Sequence, residues 1–168
     1  MVVRPQQYLE YIASLLNVKL GKICLNNSVY TCVIGNKTIS GVYNIIISLL
    51  LESKSNLSGT DPLEKAEIQQ WIEYGVVYAV HIDNPHNLKQ ILNELNGIFA
   101  TKTYLVSHKL TIADVLLYYI LLNFMKKEKY FNVSRWFDNL QQDTLLRQSH
   151  KIIDFNTNYL VSVAPSRH

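Results

Sequence analysis

Along most of this chain apolar positions recur every three or four residues, and the breaks in that rhythm divide it into segments. In "PQQYLEYIASLL", Tyr8, Ile12, Leu15 and Leu16 fall on one helical face, and Pro5 occupies a first-turn position that tolerates proline. Between Lys19 and Ser40 the pattern changes to β-branched and aromatic residues. Gly35-Asn36 separates "VYTCVI" from "KTIS", which predicts a hairpin. A helix over Gly41 to Lys54 follows, ended by the Ser/Asn/Gly-rich "SKSNLSGTD". Residues 1–54 therefore read as a small helix, hairpin, helix module, and 55–61 as a linker.

From 62 to 154 the reading is all helix. Asp61-Pro62-Leu63-Glu64 supplies an N-cap aspartate, proline at the first helical position and a glutamate three residues after the cap, opening a helix to about Val80. After a loop, "HIDNPHN", the segment "LKQILNELNGIF" carries Leu88, Ile91, Leu92, Leu95, Ile98 and Phe99 as a clean stripe. The run "HKLTIADVLLYYILLNF" is different. It is apolar around the whole circumference, so it has no solvent face and must lie at the centre of its module. Such a helix cannot satisfy its first amides with water. Thr111 and Asp114 form the capping box that replaces it, with Leu110 and Val115 as a hydrophobic staple. "NVSRWFDNLQQ" reads as a last helix capped by Asn132, with Val133, Trp136, Phe137 and Leu140 inward, continuing through "TLLRQSHKIID". Residues 155–168 form a tail without periodicity.

Composition limits what such a chain can do. At 168 residues and 48% hydrophobic it buries a real core, and its longest apolar runs fall short of a bilayer span. A net charge of +3, from 16 basic and 13 acidic residues spread along the chain, gives little long-range field for nucleic acid. The N-terminus shows no signal-peptide pattern. Cys24 and Cys32 lack metal-type spacing and read as free thiols.

Reactive constellations are weak. His81, Asp83 and His86 crowd one loop without a fourth ligand, Ser107-His108 has no triad partner, and there is no Gly-rich phosphate loop. No catalytic residue, cofactor site or metal site is assigned. A binding surface is better supported. In the helix over Gly41 to Lys54, Tyr43, Ile47, Leu50 and Leu51 widen the apolar face beyond what one core needs, leaving Asn44, Ser48 and Glu52 as the polar line. The readings are a partner interface or a helix wedged between the two modules. Trp71, Tyr74 and Tyr78 make an aromatic line that is core or interface. Arg135, between inward-facing Val133 and Trp136, should point outward to a partner, to Asp138 or to water.

A helix–hairpin–helix module, a linker and an all-α module with a buried Thr-x-x-Asp helix resembles the glutathione-transferase superfamily. More narrowly, "EKAEIQQWIEY", "YLVSHKLTIADVLLYY" and "EKYFNVSRWF", in that order, are similar to the glutathione-transferase-like auxiliary subunits of the eukaryotic multi-aminoacyl-tRNA synthetase complex. The resemblance implies an α+β, mostly α fold: a truncated thioredoxin-like N-terminal module on an all-α C-terminal domain. It implies a cytoplasmic scaffold, with the nucleus as a second location. Its implied partner is methionyl-tRNA synthetase, with glutamyl-prolyl-tRNA synthetase and the elongation factor 1 complex as further candidates. Domain pairing through the Gly41–Lys54 region, and an arginine contact on the helix holding Arg135, belong to the same implication. An active glutathione transferase and a tRNA-binding module are the alternatives. Against the first, the chain leaves little room for an opening strand. Thr31 stands in the likely proline position, Ser40-Gly41 where Glu-Ser is expected, and Tyr8 and Tyr11 read as helix-face residues rather than thiol activators.

Overall fold

A computed structural model describes residues 4–125 and 130–143. Helix α1 (Pro5–Leu15) leads into strands β1 (Cys24–Asn26), β2 (Val29–Ile34) and β3 (Lys37–Ser40), then helix α2 (Val42–Glu52). After a 3₁₀ turn at Asn56–Ser58 come α3 (Pro62–Val77), a second 3₁₀ turn at Ala79–His81, α4 (Pro85–Ile98), α5 (Ile112–Leu121) and α6 (Phe131–Gln142).

The expected hairpin is present, with Ile34 opposite Lys37 and Cys32 opposite Ile39. It is part of a three-stranded antiparallel sheet, ordered β1-β2-β3. The sequence reading missed β1. Asn27 and Ser28 both adopt positive φ, 47° and 65°, so a tight two-residue turn folds "CLN" back onto β2 without glycine. Cys32 and Ile34 face the helices, and both are 3% exposed. Cys24 lies opposite Thr31, the neighbour of Cys32, so the two thiols point to opposite faces of the sheet and remain free.

Helix α5 is the centre. Each of its ten residues is at most 3% exposed. It packs against α1, α3 and α6. Gly75 sets the crossing with α3, since a Cβ there would lie 2.9 Å from Leu116 Cδ2. The small module docks on the same helix through Tyr11, stacked on Tyr119 at 5.0 Å.

Helix boundaries differ from the sequence reading in instructive ways. Helix α3 stops at Val77 and tightens into the 3₁₀ turn rather than running to Val80. Helix α4 begins inside the expected loop, because Asn84 Oδ1 accepts from the His86 amide at 2.9 Å and Pro85 takes the first position. Asp61 caps α3 as expected, but Glu64 reaches the amide of Thr60, not Asp61. At α6 the cap residue is Tyr130, and Asn132 lies within the first turn. The capping acceptor comes from another helix: Asn96 Oδ1 on α4 receives the Asn132 amide at 2.9 Å. The expected continuation through "TLLRQSHKIID", and the tail, lie outside the described residues.

Candidate functional site

Two polar centres hold the helical module together. In the first, the capping box at Thr111 and Asp114 is formed, and both residues are fully buried. Asp114 Oδ2 accepts from the Thr111 amide at 3.1 Å and the Thr111 hydroxyl at 3.0 Å. Oδ1 accepts from the Leu105 amide at 2.9 Å and Trp136 Nε1 at 3.0 Å. Burial raises the Asp114 pKa above the usual carboxylate value, against the pull of these four donors. One side chain thus ties the entry loop, α5 and α6 together. In the second centre, Glu64 receives Thr60 at 2.8 Å (amide) and 3.0 Å (hydroxyl), the Ser107 hydroxyl at 2.7 Å and Lys109 Nζ at 3.0 Å. These donors hold its pKa at about 2, the Thr60 amide contributing most.

The residues expected at transferase-type positions have structural roles. Tyr8 is fully buried in the core, where its hydroxyl cannot meet a substrate thiol, and burial raises its pKa. Thr31 lies within β2, its hydroxyl 3.4 Å from the Cys24 carbonyl and 3.3 Å from the Asn26 amide nitrogen. Gly41 is the N-cap of α2 at φ 89°. The loop histidines are capping neighbours, and among the described residues no group of three or more His, Cys, Asp or Glu could hold a metal ion. No described helix is long and apolar enough to cross a membrane.

The candidate partner residues divide into three places. Helix α2 packs on the sheet and α1 with one side and against α3 with another, as the wedge reading expects, and leaves Leu51 at its C-terminal end exposed. Tyr43, Ile47, Leu50 and Leu51 share a face at i, i+4, i+7 and i+8 spacing. Tyr43 and Ile47 are half-buried and Leu51 is 81% exposed, while Leu50, at 8%, is a floor residue rather than an exposed contact. With Ser58, Lys65, Ile68 and Gln69, the last three of these α2 residues line a groove of about 190 Å³ between α2 and α3.

On the other flank of α3, Trp71, Tyr74 and Tyr78 form a chain of rings with centroids 5.2 and 5.8 Å apart. Tyr74 is half-buried and donates to Glu94 Oε2 at 2.8 Å; Tyr78 is 62% exposed. Burial and the Glu94 bond raise the Tyr74 pKa. Arg135 is half-buried. Its guanidinium donates to the Phe99 carbonyl at the end of α4, so α4 and α6 cap each other, Asn96 in one direction and Arg135 in the other. No local pattern marked the Glu94 and Asn96 contacts, because their partners are 20 and 36 residues away.

This geometry has close counterparts. The translation elongation factor 1 epsilon-1 of Mus musculus is 37% identical over 130 residues, covering 73% of this chain and 75% of that protein. The chain belongs to the elongation factor 1 epsilon family. A family model described as nuclear-export cofactor Arc1p matches residues 64–144. The mouse bifunctional glutamate/proline–tRNA ligase is 30% identical over 124 residues, 70% of this chain and 8% of that enzyme. Among solved structures, a theta-class glutathione S-transferase from Xanthomonas axonopodis pv. citri with glutathione bound superposes at a TM-score of 0.66, with 14% identity over 84% of this chain and 88% of that one. The glutathione-transferase-like domain of elongation factor 1-gamma from Saccharomyces cerevisiae gives 0.61, with 16% identity over 74% and 73%. The expected transferase-like fold is therefore present, in a translation-related member of the elongation factor 1 epsilon family.

Proposed function

We propose that this chain is a non-catalytic docking subunit that holds methionyl-tRNA synthetase in a multi-synthetase assembly, pairing transferase-like domains through the outer faces of α2 and α3. Glutamyl-prolyl-tRNA synthetase and the elongation factor 1 complex are secondary partners, in the cytoplasm and also the nucleus. The observation that carries the reading is Leu51. It is the most exposed large apolar side chain among the described residues, at 81%, and it borders an open groove in a chain of the elongation factor 1 epsilon family. Similarity to the glutamate/proline–tRNA ligase supports synthetases as the partner class.

The test is capture of partners by the tagged chain from its own cytosol at moderate salt, followed by mass spectrometry. Methionyl-tRNA synthetase is expected in near-stoichiometric amount. Leu51→Glu should abolish its capture while moving stability by no more than about 0.5 kcal/mol, since the side chain is already in water. Arg135→Ala is a poorer probe, because it also removes the bond to Phe99. Retention on immobilised glutathione with turnover of a chloronitrobenzene substrate, and no synthetase, would replace this reading with an active transferase.

A further inference from the structure

A cleft opens between α3 and α4, bridged by the Tyr74–Glu94 hydrogen bond. Tyr74, Tyr78, His81, Asn87, Gln90, Ile91 and Glu94 enclose about 180 Å³. Small-molecule and cofactor sites run from about 300 to 1,000 Å³, so this space suits one side chain rather than a cofactor. Its only formal charge with histidine neutral is Glu94. Glu94 is exposed; one oxygen accepts from Tyr74, and the other has no protein donor among the described residues and faces solvent. The cleft therefore repels anions. Its aromatic wall is the exposed ring of Tyr78, 5.8 Å from that of Tyr74.

A carboxylate with a spare acceptor, beside an exposed phenol face and the side-chain amides of Gln90 and Asn87, is a cation-recognition set. It favours a guanidinium over an ammonium. A planar guanidinium stacks on the ring while its edge donates to carboxylate and amide oxygens, whereas an ammonium is strongly hydrated and has no plane to stack.

We propose that the α3–α4 cleft receives a single arginine side chain projected by the protein partner, paired with Glu94 and stacked on Tyr78. This deepens the docking function and rests on it for the identity of the partner. It also separates the partner-facing surface into an apolar groove on one flank of α3, lined by Leu51, and a charged socket on the other. The groove supplies contact area, and the socket fixes which partner and which register.

Two measurements on the full chain test the proposal. In the first, N-acetyl-arginine amide and its neutral isostere N-acetyl-citrulline amide are titrated while the ring signals of Tyr74 and Tyr78 are followed by NMR. The arginine probe should shift them and the citrulline probe should not; Glu94→Gln, which keeps an acceptor for Tyr74, should erase the difference. Equal responses to the two probes overturn the socket. In the second, capture of methionyl-tRNA synthetase is compared between the natural chain, Glu94→Gln and Tyr78→Ala, with Glu73→Gln as an exposed control on α3 outside the cleft. Both cleft variants should weaken capture by about tenfold or more at unchanged melting temperature, with the control unaffected. Undiminished capture by the cleft variants overturns the socket and leaves the docking function standing. If the natural chain captures no synthetase but discriminates arginine from citrulline through Glu94, the docking partner is wrong and the socket stands.

Discussion

The N-terminus of α5 and the outer flanks of α3 are built from the same kinds of residue, carboxylates beside aromatic rings, and they end in opposite conditions. At Asp114 both oxygens are filled by two donors each, Trp136 stacks on Phe99 at 4.7 Å, and nothing is accessible. At Glu94 one oxygen is occupied, and Tyr78 lies largely in water. The first arrangement is complete within one chain, so its energy goes into the fold. The second leaves one oxygen of an exposed carboxylate without a protein donor among the described residues, open to water or to another molecule.

The contrast is broken most directly at Asp114. Asn has the same shape but turns an NH₂ toward one of the two donor pairs, so Asp114→Asn should lower unfolding free energy by about 3 kcal/mol or more, read from denaturant midpoints. The conservative change at the other end, Glu94→Gln, should leave that midpoint alone. If both variants are equally stable, the α5 centre is not the keystone of the helical module.

Helix α3 carries the same contrast on its own two sides. Gly75 faces α5 so closely that Gly75→Val should overpack the crossing and cost about 2 kcal/mol. Val77, 47% exposed and two residues on, should accept serine within about 0.5 kcal/mol. Tyr8 is the exception that sharpens the rule. It is as buried as Asp114, yet its hydroxyl has no hydrogen-bond partner among the described residues. Tyr8→Phe should therefore stabilise the protein by about 1 kcal/mol, visible as a raised melting temperature.

At Glu64, where linker and α5 entry loop meet near the surface, the expected effect is a change in how stability depends on pH. Its folded pKa of about 2 lies below the ordinary 4.5, so the ionised form is the one the fold favours. That contribution is complete above about 4.5 and is lost as the pH falls toward about 2. The acid limb of the stability profile should flatten in Glu64→Gln across that window. An unchanged acid limb would show that the four donors at Glu64 hold nothing together.

Much of this was legible in one dimension because it depends on neighbours in sequence. The circumference of α5, the Thr111–Asp114 box, the Asp61 cap and the β2–β3 turn at Gly35-Asn36 are local patterns of period or spacing, and each appears in the structure. The misses have a common origin. Strand β1 needed two non-glycine residues with positive φ, a choice made by pairing with β2. Asn132 was read as a cap because it is the right residue type near the right place, but the acceptor arrived from Asn96. Arg135 was read as outward because its neighbours point inward, but the end of α4 lies within its reach.

What the sequence determined by itself is therefore the set of helices, their buried and exposed sides, and the one helix that must be central. These follow from hydrophobic period and from capping chemistry within a few residues. Only the tertiary structure decided which polar groups are used up and which are left over. That count depends on hydrogen bonds between residues 20 to 43 positions apart, such as Tyr74 with Glu94 and Ser107 with Glu64, and no local pattern encodes such a distance.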